Sequence, residues 1–233
     1  FVYKIIFFKI FNMHHTQINL IEIEDKIKSK INELSLSGYN PKVIAVSKTF
    51  LEPDILPLLE NGHLDFGENK VQEAQKKWIG LKERFKKVNL HMLGRLQTNK
   101  VKSAVDLFDY IHSLDSQKLA NKLADEIHKK NKKVRIFIQV NLGKEKQKSG
   151  IDAADLESFH KNCLLLKLDI IGTMCIPPDN TDPKPFFKKL LDLNNSLGLK
   201  EISMGMSNDY LNALEYKSTY LRIGTGIFGK RTN

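Results

Sequence analysis

The chain has 233 residues, 41% hydrophobic and 27% charged, with 13 Gly and 7 Pro; this excludes collagen-like, low-complexity and disordered classes and leaves an ordinary globular protein. Its 2 cysteines, Cys163 and Cys175, stand outside any CxxC pair, so neither a disulfide framework nor a thiolate zinc site is expected, and a reducing cytoplasm is the natural setting. A formal charge of +10 attracts anions, but doublets such as Lys76-Lys77, Lys129-Lys130 and Lys188-Lys189 are dispersed and read as solvated helix faces, with no aromatic-interleaved basic stripe to make nucleic acid a partner.

Residues 1–12 are apolar and aromatic, broken by Lys4 and Lys9, with no small-residue cleavage site after them; they read as an extension or a gene-model artefact, and 13–233 as the single domain. No run reaches transmembrane length, and no membrane partner is expected. From 18 to 34 the apolar positions Leu20, Ile23, Ile27, Ile31 and Leu34 recur at helical spacing. Val43-Ile44-Ala45-Val46 then reads as a buried strand ending at Ser47-Lys48. The alternation continues with helices over 53–60, 68–85, 98–106, 116–130, 152–166, 185–197 and 209–217. Strands are expected over 64–66, 90–93, 110–112, 134–140, 168–174, 201–204 and 220–223. Eight strand-helix repeats without a Gly/Pro/Ser-rich linker predict an α/β fold, a single parallel (β/α)8 TIM-type barrel. Only ten residues follow the eighth strand, so the helix at 18–34 is expected to cover the place of the missing last outer helix. An open doubly wound sheet is disfavoured because no GxGxxG follows the first strand.

In such a barrel the chemistry lies just beyond the strand ends. Lys48 stands there, where desolvation favours a neutral, nucleophilic amine able to form a Schiff base. A structural ion pair with Glu68 is the alternative, and position alone leaves both open. After the seventh and eighth strands come Met204-Gly205-Met206-Ser207, running into a helix, and Arg222-Ile223-Gly224-Thr225-Gly226. A serine at a helix start and glycines that admit an anion suit a phosphate at the place where barrels often hold one. A lysine imine beside a phosphate cup points to pyridoxal phosphate. His91 reads as a satisfied core histidine, His14-His15 as too terminal for a metal site, and Cys175 as a small buried residue; no metal is expected.

Six ordered motifs carry a resemblance. They are Ala45-Val46-Ser47-Lys48-Thr49, Phe66-Gly67-Glu68-Asn69 with Gln72-Glu73, and His91-Met92-Leu93-Gly94-Arg95-Leu96-Gln97-Thr98-Asn99-Lys100. After them come Lys148-Ser149-Gly150-Ile151, Ser203 to Asp209, and Arg222 to Gly229. From about Val43 to Arg231 the chain closely resembles the pyridoxal phosphate homeostasis protein family. The resemblance implies a fold-type III barrel related to the N-terminal domain of alanine racemase. It implies that Lys48 holds pyridoxal 5′-phosphate (PLP) as an internal aldimine, that Ser207, Gly224 and Thr225 hold its phosphate, and that Arg222 faces the pyridine nitrogen. Asn69 and Met204 would lie near the ring and the Lys148-Ser149-Gly150 loop near the mouth. The function expected is a monomeric PLP carrier acting in intracellular vitamin B6 homeostasis, buffering the cofactor or delivering it transiently to apo-enzymes without robust turnover. A slow amino-acid racemase is the alternative; it is disfavoured because two-sided proton transfer needs a tyrosine brought by a second, β-rich domain that this chain has no length to encode. A lysine-imine aldolase and a basic RNA-binding module are further alternatives.

Overall fold

The computed structural model describes residues 13–230 apart from 144 and 146–148. The expected extension at 1–12 lies outside the described residues. The elements are α1 (His15–Glu33), β1 (Lys42–Val46), α2 (Glu52–Glu60), β2 (Asp65–Glu68), α3 (Val71–Arg84) and β3 (Asn89–Met92). They continue with α4 (Val101–Leu107), β4 (Tyr110–Leu114), α5 (Gln117–Lys130), β5 (Arg135–Gln139), α6 (Leu156–Leu165) and β6 (Asp169–Met174). The last are α7 (Lys184–Ser196), β7 (Glu201–Met206), α8 (Tyr210–Glu215), β8 (Tyr220–Ile223) and a short α9 (Thr225–Phe228). The strands are parallel and closed in sequence order, β8 pairing back onto β1 through Lys42–Tyr220 to Ala45–Ile223.

The barrel expected from the repeat is therefore the fold. The strand side chains divide by the two-residue period. Inside the barrel Ile44, Val46, Leu93, Tyr110, Phe137, Met174 and Tyr220 form a compact cluster. The larger core lies between the strands and the surrounding helices, where Trp78, Phe66 and Phe187 are fully buried.

α1 packs against α2, α8 and α9, which is the gap left by the absent eighth helix. His14 caps its start, its ring accepting from the Thr16 N–H while Gln17 Oε1 accepts from the His14 N–H at 3.0 Å. Asn19 Nδ2 donates to Ile227 O at 2.8 Å, pinning α1 to α9 beside the barrel mouth. Among the described residues no helix is long and apolar enough to cross a membrane and no group of His, Cys, Asp and Glu could hold a metal ion.

Candidate functional site

Lys48 follows Val46 by one strand period, so it continues the inward face of β1 and, with Val46, lines a cavity of about 480 Å³ at the strand carboxyl ends. The loop carrying it is held from outside the barrel. Lys77 Nζ on α3 donates to Ser47 O at 2.8 Å and to Phe50 O at 3.2 Å. The Thr49 N–H, in the left-handed region at φ 70°, donates to Glu73 Oε1. Burial raises the Glu73 carboxyl, but the Thr49 N–H and Lys77 outweigh it and leave it below its ordinary range.

Glu68, the partner that would make Lys48 structural, faces α3: its Oε1 accepts from Ser47 Oγ at 2.8 Å and Trp78 Nε1 at 2.9 Å, and Lys77 Nζ lies 2.7 Å away. This ion pair is buried, and it braces the Lys48 loop from behind. None of these bracing roles had been read from the sequence, although Glu73 and Lys77 stand four residues apart on one face of α3, the spacing at which side chains meet.

Across the cavity, Ser207 Oγ accepts from the Gly226 N–H at 3.1 Å, which leaves its own hydroxyl proton to donate to a bound oxygen. Gly224 and Thr225 line the same cavity. Phe50 stacks on Phe228 at 4.9 Å, joining the Lys48 loop to α9. Ser207 is not at a helix start, as the sequence had suggested. Asp209 Oδ1 accepts from the Met206 N–H, so a turn intervenes and α8 begins only at Tyr210.

Arg222 points inward from β8, is 5% exposed, and lines the cavity floor. Its Nη1 donates to Ser203 Oγ at 2.7 Å and its Nη2 to Cys175 O at 2.8 Å. Burial lowers its pKa and pushes the Cys175 thiol up to about 12, so Cys175 is an inert buried residue. Asn69 lines the cavity from the end of β2.

Met204 is the exception among the expected site residues. It is fully buried in the outer core, and its backbone is tied to Ser218 Oγ, which donates to Met204 O at 2.7 Å. The reason is the length of β7, which runs two residues beyond the expected end. Gly205 at φ 89° accompanies a register irregularity against β8, and Met206 reaches the mouth instead. Ser149 also lines the cavity, its carbonyl accepting from Gln139 Nε2 at 2.9 Å, while Lys148 lies outside the described residues.

His91 is a satisfied core residue, as its apolar surroundings suggested, with Nε2 at 3.0 Å from Asp65 Oδ1. Arg95, Gln139 and Ile176 also line the mouth, and nothing in an apolar strand or a proline-flanked turn marks Gln139 or Ile176 as a lining residue in the sequence.

Residues 18–232 match the family model described as alanine racemase, N-terminal domain. The pyridoxal phosphate homeostasis protein of Aquifex aeolicus is 38% identical over 201 residues, 82% of this chain and 87% of that one. That of Escherichia coli K12 is 32% identical over 223 residues, 91% and 95% of the two chains. Among solved structures, PipY of Synechococcus elongatus with PLP bound has 32% identity and a TM-score of 0.77, covering 87% of this chain and 100% of that one. An alanine racemase of Clostridium difficile superposes with a TM-score of 0.69 at 13% identity, with 57% of that chain covered, a likeness of fold alone.

Proposed function

The chain belongs to the pyridoxal phosphate homeostasis protein family, within the group defined by the alanine racemase N-terminal domain, and on that premise we propose that it binds PLP and buffers or delivers it. The observation that carries this reading is the convergence of Lys48, Arg222, Ser207, Gly224 and Thr225 on one cavity of about 480 Å³. That volume suits a small cofactor, and the donor set matches its groups: hydroxyls and backbone for a phosphate, an amine for an aldehyde, a guanidinium for a ring nitrogen. When bound, the cofactor supplies an electrophilic aldehyde on a conjugated ring.

In this reading Lys48 Nζ condenses with the aldehyde carbon to form an imine, releasing the carbonyl oxygen as water. Ser207 and Thr225 donate to the phosphate oxygens, while Gly224 admits them close to the backbone. Arg222 donates to the ring nitrogen. A guanidinium keeps its proton, so the ring stays unprotonated and draws electrons weakly, which favours storage over turnover. The protein then acts as a cytoplasmic monomer that meets apo-enzymes transiently.

The test is titration of the purified protein with PLP, followed by incubation with L-alanine. A saturable visible imine band without racemisation is expected. Ordinary steady-state turnover would favour the slow racemase, and absence of the band would remove the reading.

A further inference from the structure

Arg222 is buried, yet among the described residues no carboxylate lies within ion-pair distance of it. It reaches one at a distance, through the middle of the barrel. Its Nη1 lies 2.7 Å from Ser203 Oγ, and Ser203 Oγ lies 2.8 Å from His112 Nδ1. His112 Nε2 lies 3.0 Å from His91 Nδ1, and His91 Nε2 lies 3.0 Å from Asp65 Oδ1 at the amino end of β2. Ser203, His112 and His91 are all fully buried.

The carboxylate end sets the polarity, because a carboxylate only accepts while a serine oxygen can accept from both neighbours. Asp65 accepts from His91 Nε2–H, a neutral His91 accepts at Nδ1 from His112 Nε2–H, and a neutral His112 accepts at Nδ1 from the Ser203 O–H, which leaves Ser203 Oγ to accept from Arg222. Both imidazoles are neutral and each has one allowed tautomer. Burial pushes both pKa values below the ordinary 6.5 and so agrees with the neutral forms.

Aromatic rings flank the two imidazoles: Tyr110 stacks on His91 at 4.3 Å, Phe137 stacks on His112 at 4.2 Å, and Tyr220 lies 5.9 Å from each ring. At the base Asn89 Nδ2 adds a donor to Asp65 Oδ1 at 3.1 Å.

We propose that Ser203, His112, His91 and Asp65 are positioning residues: a one-way hydrogen-bonded chain through the barrel that orients Arg222 toward the cofactor ring. The proposal rests on the reading that Arg222 meets the ring nitrogen. Its first test needs no cofactor. Nitrogen-15 NMR of the uniformly labelled, cofactor-free protein should show His91 and His112 as neutral Nε2–H tautomers at pH 7.5; an Nδ1–H tautomer at His112 would overturn the chain.

The second test titrates PLP into folded His112→Phe, Ser203→Ala and the double variant, with folding checked by thermal denaturation. Each single change breaks the same chain, so each should raise the dissociation constant by about threefold to tenfold and shift the imine absorption band. The double variant should be no weaker than the weaker single one. His112→Asn, whose Oδ1 can accept from Ser203 where Nδ1 did, should recover most of the affinity. Unchanged affinity and band in His112→Phe and Ser203→Ala, with the parent binding normally, would contradict the positioning role. Failure of the parent itself to bind PLP would remove the cofactor reading, and the positioning role with it; the tautomers would then judge only the polarity of the chain.

Discussion

Under the proposed function Lys48 and Ser207 serve different bonds, so their losses should separate. Lys48→Ala removes the amine from the mouth but leaves the interior cluster of Ile44, Phe137 and Tyr220 in place, so folding should survive. Absorption spectra should then show the imine band gone, with weak non-covalent binding left to the cup and Arg222; a full-strength band would count against Lys48. Ser207→Ala removes a donor to an anion and also the acceptor of the Gly226 N–H. Retention should weaken by about 1.5 to 3 kcal/mol while the band at saturation stays the same, measured by equilibrium titration. Equal affinity in variant and parent would take the cup out of the account. The sequence was most informative where a strand end coincides with a chemically unusual residue, as at Lys48, whereas Arg222, inside β8, was marked only by the motif it shares with the family. It was least informative for residues whose role is set by partners far along the chain. Ser203 and His112 are 91 positions apart, and no local pattern joins them.

The order of strands and helices was legible because apolar periodicity reports which face each segment buries. Boundaries were less so. β7 extends to Met206 through a glycine in a left-handed conformation, and this moved Met204 to the outer core. α6 starts at Leu156 and not at residue 152, because Asp155 N–H bonds back to Asp152 O in a turn before the helix. The short α9 was not anticipated at all, since four residues give no periodicity to read.

A Cβ on Gly172 would stand 1.9 Å from Glu201 O, so Gly172→Ala must part β6 from β7; it should destabilise by about 1 to 3 kcal/mol in denaturant unfolding, and a neutral result would contradict the strand pairing. Lys77→Met leaves the Glu68 carboxylate buried without its cation and should destabilise by about 3 to 5 kcal/mol. Adding Glu68→Gln should restore part of that loss, whereas no recovery would show that Lys77 acts through packing alone.

Across the whole molecule, histidines shielded from water couple stability to pH. Burial lowers the pKa values of His63, His91 and His112 below the ordinary 6.5. The unfolded chain therefore takes up protons near 6.5 that the folded chain refuses, and the stability, complete above that pH, is lost as pH falls toward the lowered folded values. Thermal unfolding should show Tm falling between pH 7.5 and 5.5, with a shallower fall in His112→Phe; a flat Tm would mean the histidines are not held neutral. Under the proposed function one lysine, Lys48, holds the cofactor at the mouth of this barrel. Borohydride reduction of the protein incubated with PLP, followed by peptide mass mapping, tests it directly. A single reduced pyridoxyl phosphate adduct on Lys48 is expected, and an adduct confined to other lysines with Lys48 unmodified would rule that lysine out.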